Sequence, residues 1–183
     1  HVPSILVATL SATFGVALLQ GTDALARVIS NDDNFGSSTA VKIALASVGF
    51  QYVNIDDCWA VKPGAKEADL QGPERDAEGR VNANARFPDM RALTDHIHGL
   101  GLKAGIYTSP GPTTCAGHVG AWQHEEQDAP RFVEWGFDFL KYDWCSYGKI
   151  AGKEPSVQAL QEPYRQMGAI LRRQPRDVVL NLC

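Results

Sequence analysis

Lys141 and Asp143 stand two positions apart in "FLKYDWCSYG", residues 139–148, at the end of an apolar run where charge is out of place. In an extended strand that spacing brings both side chains out on the same side. A lysine beside a carboxylate holds it ionised at neutral pH, which suits a nucleophile or an electrostatic stabiliser. The same pair could equally be an ion pair that closes the floor of a barrel. A second acidic pair, Asp56-Asp57, ends "YVNIDDCW". Adjacent strand residues face opposite ways unless the strand end bends, so one or both can face a site. Carboxylates accept hydrogen bonds from sugar hydroxyls, and Trp59 and Trp144 offer apolar faces against which a sugar ring could pack. An Asx turn or a helix N-cap is the plainer use of Asp-Asp. Acids at two strand ends on one edge favour a polar-ligand site over two coincidental turns.

Four apolar runs supply the strands that would position these residues: "YVNIDDCW", "LKAGIYTS", "FDFLKYDW" and "DVVLNLC". Helical patterns alternate with them. "AVKIALASVGF" closes at Gly49, and "DMRALTDHIHGLG" places Met90, Leu93, Ile97 and Leu100 on one face. "HEEQDAPRFVEWG" carries acids in its first turn, where the helix dipole favours them. "SVQALQEPYRQMGAILRRQ" reads as a helix in two parts, divided near Pro163. Residues 60–85 have few apolar anchors and read as a long loop. Alternating strands and helices argue for βαβ units and a parallel sheet, and near-continuous apolar strands suggest that both faces are covered. Polar residues gather at the C-terminal strand ends, as in a (β/α) barrel or an open α/β sheet. Without a GxGxxG or a P-loop, nucleotide-binding versions lose ground.

The bulk numbers narrow the partners. The 183 residues are 44% hydrophobic and 21% charged, a soluble globular composition, and the formal net charge of -4 gives no reason to expect nucleic acid or an anionic membrane. The opening stretch, residues 1–26, has an apolar run from Ile5 to Leu19 followed by Ala24-Leu25-Ala26. This pattern predicts a cleaved signal peptide, a secreted or periplasmic protein, and a domain spanning 27–183 with no membrane attachment after cleavage. An amphipathic first helix is the alternative. Cys58, Cys115, Cys145 and Cys183 are too dispersed for a zinc ribbon, and export makes disulfides plausible. His96 and His98 on a helix, and His118 and His124 around a loop, lack a third ligand in any pattern, so surface roles and no metal are expected.

"YVNIDDCW", "RFPDMRALTDHIHGLGLKAGIYTSPGPTTCAG", "HEEQDAPRFVEWGFDFLKYDWC" and "YRQMGAILR" together closely resemble the α-galactosidases of glycoside hydrolase family 27, over about Gly49 to Cys183. The resemblance implies an α/β fold, the TIM (β/α)8 barrel, here only about its first four or five βα units. It also implies a retaining double displacement on galactosylated oligosaccharides or glycoconjugates. Asp143 matches the nucleophile, and Lys141, Asp56, Asp57 and Tyr107 match residues around the galactose ring, which Trp59 would flank. Cys115 and Cys145 match a disulfide, and no cofactor or metal is implied. The family's opening strand has only Asn34-Phe35-Gly36 as a remnant, which would leave Cys58 unpaired. The acid/base aspartate would follow Cys183, so the chain as it stands is expected to be inactive or nearly so. An α-N-acetylgalactosaminidase, a β-L-arabinopyranosidase and a non-catalytic carbohydrate-binding remnant are the alternatives.

Overall fold

The computed structural model describes residues 6–9 and 50–183. Among these, five strands form one parallel sheet in chain order: β1 (Leu6–Thr9), β2 (Phe50–Asn54), β3 (Lys103–Thr108), β4 (Phe139–Tyr142) and β5 (Val179–Leu182). Helix α1 (Met90–Gly99) joins β2 to β3, α2 (Glu125–Trp135) joins β3 to β4, and a short α3 (Gly148–Ala151) with α4 (Val157–Leu171) joins β4 to β5. Sequential parallel strands linked by helices are the repeating units of a barrel wall. β1 draws on residues that the sequence pattern places in a leader. The Ala24-Leu25-Ala26 pattern, Asn34-Phe35-Gly36 and the helical pattern before Gly49 lie outside the described residues.

The strands are amphipathic rather than uniformly apolar, and this sets what lies inside. Gly105 is in register with Asn54 on one side and Phe139 on the other. A Cβ at Gly105 would fall 1.6 Å from Asn54 Oδ1 and 3.2 Å from Phe139 Cδ1, so the three share one face and only glycine leaves room for the amide. Two positions further on, Tyr107 is in register with Lys141, and Lys141 with Asn181. The period of two therefore carries Asn54, Tyr107, Phe139, Lys141 and Asn181 along the inner face. On the outer face Ala104, Ile106, Leu140 and Tyr142 are buried with Leu93 and Ile97 of α1, Phe132 of α2, and Met167 and Ile170 of α4. Each fully buried Leu, Ile, Phe or Met there contributes roughly 1.5–3 kcal/mol.

The helices begin and end where their residue types dictate. Asp89 caps α1 by accepting from the Ala92 N–H at 2.8 Å, and Ser156 caps α4 from Ala159 at 3.2 Å. Gly136 ends α2 at φ 97°, where a Cβ would also strike Thr94 Oγ1 at 2.7 Å. Pro163 does not divide α4, which runs unbroken through it. Its ring lies on the buried stripe with Met167, Ile170 and Leu171, so packing outweighs the lost backbone hydrogen bond. No helix among the described residues is long and apolar enough to cross a membrane.

Two carboxylates, one half-buried and one buried, fasten the layers. At the N-terminal edge, Asp138 accepts from the Ala104 N–H at 2.9 Å, from His98 at 2.7 Å and from Arg176, joining the starts of β3, β4 and β5 to α1. On α2, Asp128 is 1% exposed and accepts from both terminal nitrogens of Arg75, at 2.6 and 3.1 Å, and from the Val81 N–H at 2.9 Å. Arg75 also donates to the carbonyls of Gly79 and Gly120, so one guanidinium pins the 60–85 loop to α2 and to the loop after β3.

Candidate active site

At the C-terminal edge Lys141 does not pair with Asp143. Its Nζ donates to Asp56 Oδ2 at 3.1 Å and Oδ1 at 3.4 Å. The reason is topological. Lys141 points to the inner face and reaches across β3, passing 4.9 Å from the Tyr107 ring centroid, to the end of β2. Asp143 lies just past β4, tied by its N–H to Thr108 O at 3.0 Å. Its carboxylate lies within 4.8 Å of the sulfurs of Cys115 and Cys145. Those sulfurs form a disulfide, so this group is closed to metal.

Tyr107 connects the two arms of the site. Its hydroxyl lies 3.1 Å from Cys145 Sγ, and burial pushes its pKa well above the ordinary phenol value, with Asp57, Asp143 and Asp56 adding to the rise. Three carboxylates therefore act on one protonated phenol. Asp57 accepts from the Cys58 N–H at 2.7 Å and from the Ala116 N–H at 2.8 Å, while Asp56 accepts from the Asp57 N–H at 2.9 Å. The Asx-type turn and the polar site thus coexist, because the strand end bends through Cys58 at φ 80°. Ser146 fastens the facing loop: its Oγ accepts from the Thr113 N–H at 3.0 Å and donates to the Thr113 carbonyl at 2.6 Å. Beneath Lys141 lies a cavity of about 340 Å³, lined also by Asn54, Asp56, Phe139 and Asn181. That volume lies in the range of small-ligand pockets.

Two expectations are corrected. Trp59 is 2% exposed, packed edge-on against Phe132 and Trp135, with its indole N–H donating to Tyr107 O at 2.7 Å. An indole enclosed in the core cannot stack on a sugar; Trp144, half-buried beside Tyr147 and Tyr164, is the more open ring. His118 is not a surface residue. It is 2% exposed, with Nδ1 2.7 Å from Ala60 O, and burial lowers its pKa. The motifs do not single out Asn54, Asn181 or Ser146, although counting by two from Asp56 and Lys141 points to Asn54 and Phe139 as their neighbours on the inner face.

The family described as Alpha galactosidase A (Melibiase_2) matches residues 34–183. The chain belongs to this family. It is 37% identical over 145 residues to alpha-galactosidase A of Cellvibrio japonicus, an alignment covering 78% of this chain and 31% of that protein. Alpha-galactosidase I from Mortierella vinacea superposes with a TM-score of 0.67 at 36% identity, covering 79% of this chain and 34% of that one. An alpha-galactosidase from Saccharomyces cerevisiae, solved with raffinose, gives 0.66 at 31%, with 79% and 30% covered. The chain thus spans about a third of the length of the alpha-galactosidases that it matches. Strands β2 to β5, which lie within the matched residues, are accordingly part of the TIM barrel of this glycoside hydrolase family. The disulfide implied by the resemblance, Cys115–Cys145, is present with a Cα–Cα distance of 5.0 Å.

Proposed function

We propose that this chain carries the sugar-holding and nucleophilic part of a retaining glycosidase for terminal α-D-galactosyl groups. The observation that carries the reading is the Asp143 carboxylate, just past β4 and free of side-chain hydrogen bonds among the described residues, at the same sheet edge as the Lys141–Asp56 pair and the Tyr107 hydroxyl. In that role an Asp143 oxygen attacks the anomeric carbon as the bond to the leaving oxygen breaks. A proton passes to that oxygen from an acid, and water later hydrolyses the glycosyl ester. Lys141, held by Asp56, donates to ring hydroxyls, and free lone pairs of Asp56 and Asp57 accept from them. A galactosylated oligosaccharide is the ligand class, in keeping with the raffinose of the yeast relative.

Asp56 and Asp57 spend oxygens on Lys141 and on backbone N–H groups, so neither is placed to protonate a leaving group. The 183-residue chain by itself therefore hydrolyses glycosides very slowly while it still binds galactose. Mixing it with a fluorinated galactosyl fluoride and mapping peptides by mass tests this directly. The expected result is a slow, stoichiometric adduct on Asp143. An adduct on another carboxylate, or rapid turnover of an aryl α-galactoside by the chain, would overturn the proposal. Export rests on the Ala24-Leu25-Ala26 pattern, and N-terminal sequencing of the mature protein tests it.

A further inference from the structure

We propose that Asp57, Cys58 and His118 form a binding site for one thiophilic divalent cation of the Zn²⁺ class. A carboxylate oxygen, a thiol and an imidazole nitrogen from these residues all lie within 4.8 Å of one another. Sulfur, nitrogen and oxygen donors together select zinc-like ions over magnesium or calcium. Three protein ligands also leave a fourth tetrahedral position for water.

Each donor is already oriented. His118 is 2% exposed, and its Nδ1 lies 2.7 Å from the Ala60 carbonyl. A carbonyl only accepts, so Nδ1 carries the hydrogen and Nε2 is left with its lone pair, the arrangement that a metal-bound histidine requires. Each Asp57 oxygen accepts one backbone N–H, which fixes the carboxylate and leaves a lone pair on each oxygen. Cys58 is a free thiol, half-buried, on a bend held in the left-handed region by its own N–H to Asp57. Among the described residues Cys58 forms no disulfide, and the other free thiol, Cys183, lies beyond β5. On binding, the cation displaces the thiol proton, which leaves to solvent, with no change of oxidation state. The donors are read from geometry alone, so the inference does not depend on the glycosidase reading, but Asp57 is common to both sites and a bound cation competes with the sugar for its lone pairs.

The test uses the full chain with Zn²⁺ and Co²⁺ as probes. One equivalent of Co²⁺ is expected to give a near-ultraviolet thiolate charge-transfer band, which persists in Cys183→Ser and vanishes in Cys58→Ser and His118→Gln. A readout without variants is the rate of iodoacetamide alkylation, resolved by peptide mass. At Zn²⁺ about ten times its Kd, Cys58 alkylation slows about tenfold while Cys183 is unaffected. Absence of the band at millimolar Co²⁺, a band lost only in Cys183→Ser, or equal alkylation of Cys58 with and without Zn²⁺ would each overturn the proposal.

Discussion

Asp138 and Asp143 flank the same strand, yet the fold uses them in opposite ways. Asp138, at the start of β4, is filled by Ala104, His98 and Arg176. Asp143, at the other end, has no side-chain hydrogen bond among the described residues and lies beside a disulfide and a protonated tyrosine. A carboxylate whose lone pairs are occupied holds elements together; one left open can attack. The difference also separates stability from chemistry within a single strand, as the two faces of a TIM barrel do.

The largest effect that would sharpen this contrast is expected at Asp143. Asp143→Asn should reduce labelling by the galactosyl fluoride on the order of 10³-fold or more, while thermal stability moves by less than about 0.5 kcal/mol. Comparable loss of stability would place Asp143 with the structural carboxylates. Asp138→Ala should do the reverse, costing about 2–4 kcal/mol in urea unfolding and leaving galactose affinity unchanged. Gly105→Ala comes next, at about 1–3 kcal/mol, because Asn54 must leave its place on the inner face; an unchanged midpoint would show that the amide moves freely.

The smallest effects are in pH dependence, and they differ in sign. Burial alone would raise the Asp138 pKa, but hydrogen bonds from His98, Ala104 and Arg176 outweigh it and hold the group below its ordinary 3.8. Its stabilisation is full above that value and is lost as pH falls through the depressed pKa. In Asp128, burial prevails over Arg75 and pushes the pKa up to about 6. Its contribution is full below the ordinary 3.8 and is lost as pH rises through about 6. Urea midpoints across this range should show a declining component near pH 6 that Asp128→Asn abolishes. Asp138→Asn should leave that component and remove an acid-side one; identical profiles for the two variants would contradict the assignment.

What was legible in the sequence was local. The period of α1, the acids opening α2 and the apolar runs of β3 and β4 each depend on neighbours within a few residues, so they emerged with the right type and place. Partnerships made across the fold did not. Spacing alone pairs Lys141 with Asp143, whereas the sheet pairs it with Asp56, 85 residues away. Asp128 looks like a surface acid favouring a helix start, yet it is buried under an arginine from a loop 53 residues upstream. Trp59 follows two acids in sequence, but its indole packs edge-on against Phe132 and Trp135 of α2. Pro163 carries a strong local signal for a break, and only the buried stripe of α4 reveals why the helix continues.

Arg75 has a consequence in time as well as in space. Its bonds to Gly120 and Asp128 close chain segments of 45 and 53 residues, a closure that costs less once the strands and helices between them have gathered, so these contacts are expected to form late. A contact made after the rate-limiting step leaves the speed of refolding almost untouched and instead slows the opening of the finished molecule. Arg75→Ala is therefore expected to speed unfolding and leave the refolding rate almost unchanged in stopped-flow traces, shortening the native lifetime of the loops that frame Asp57 and Asp143.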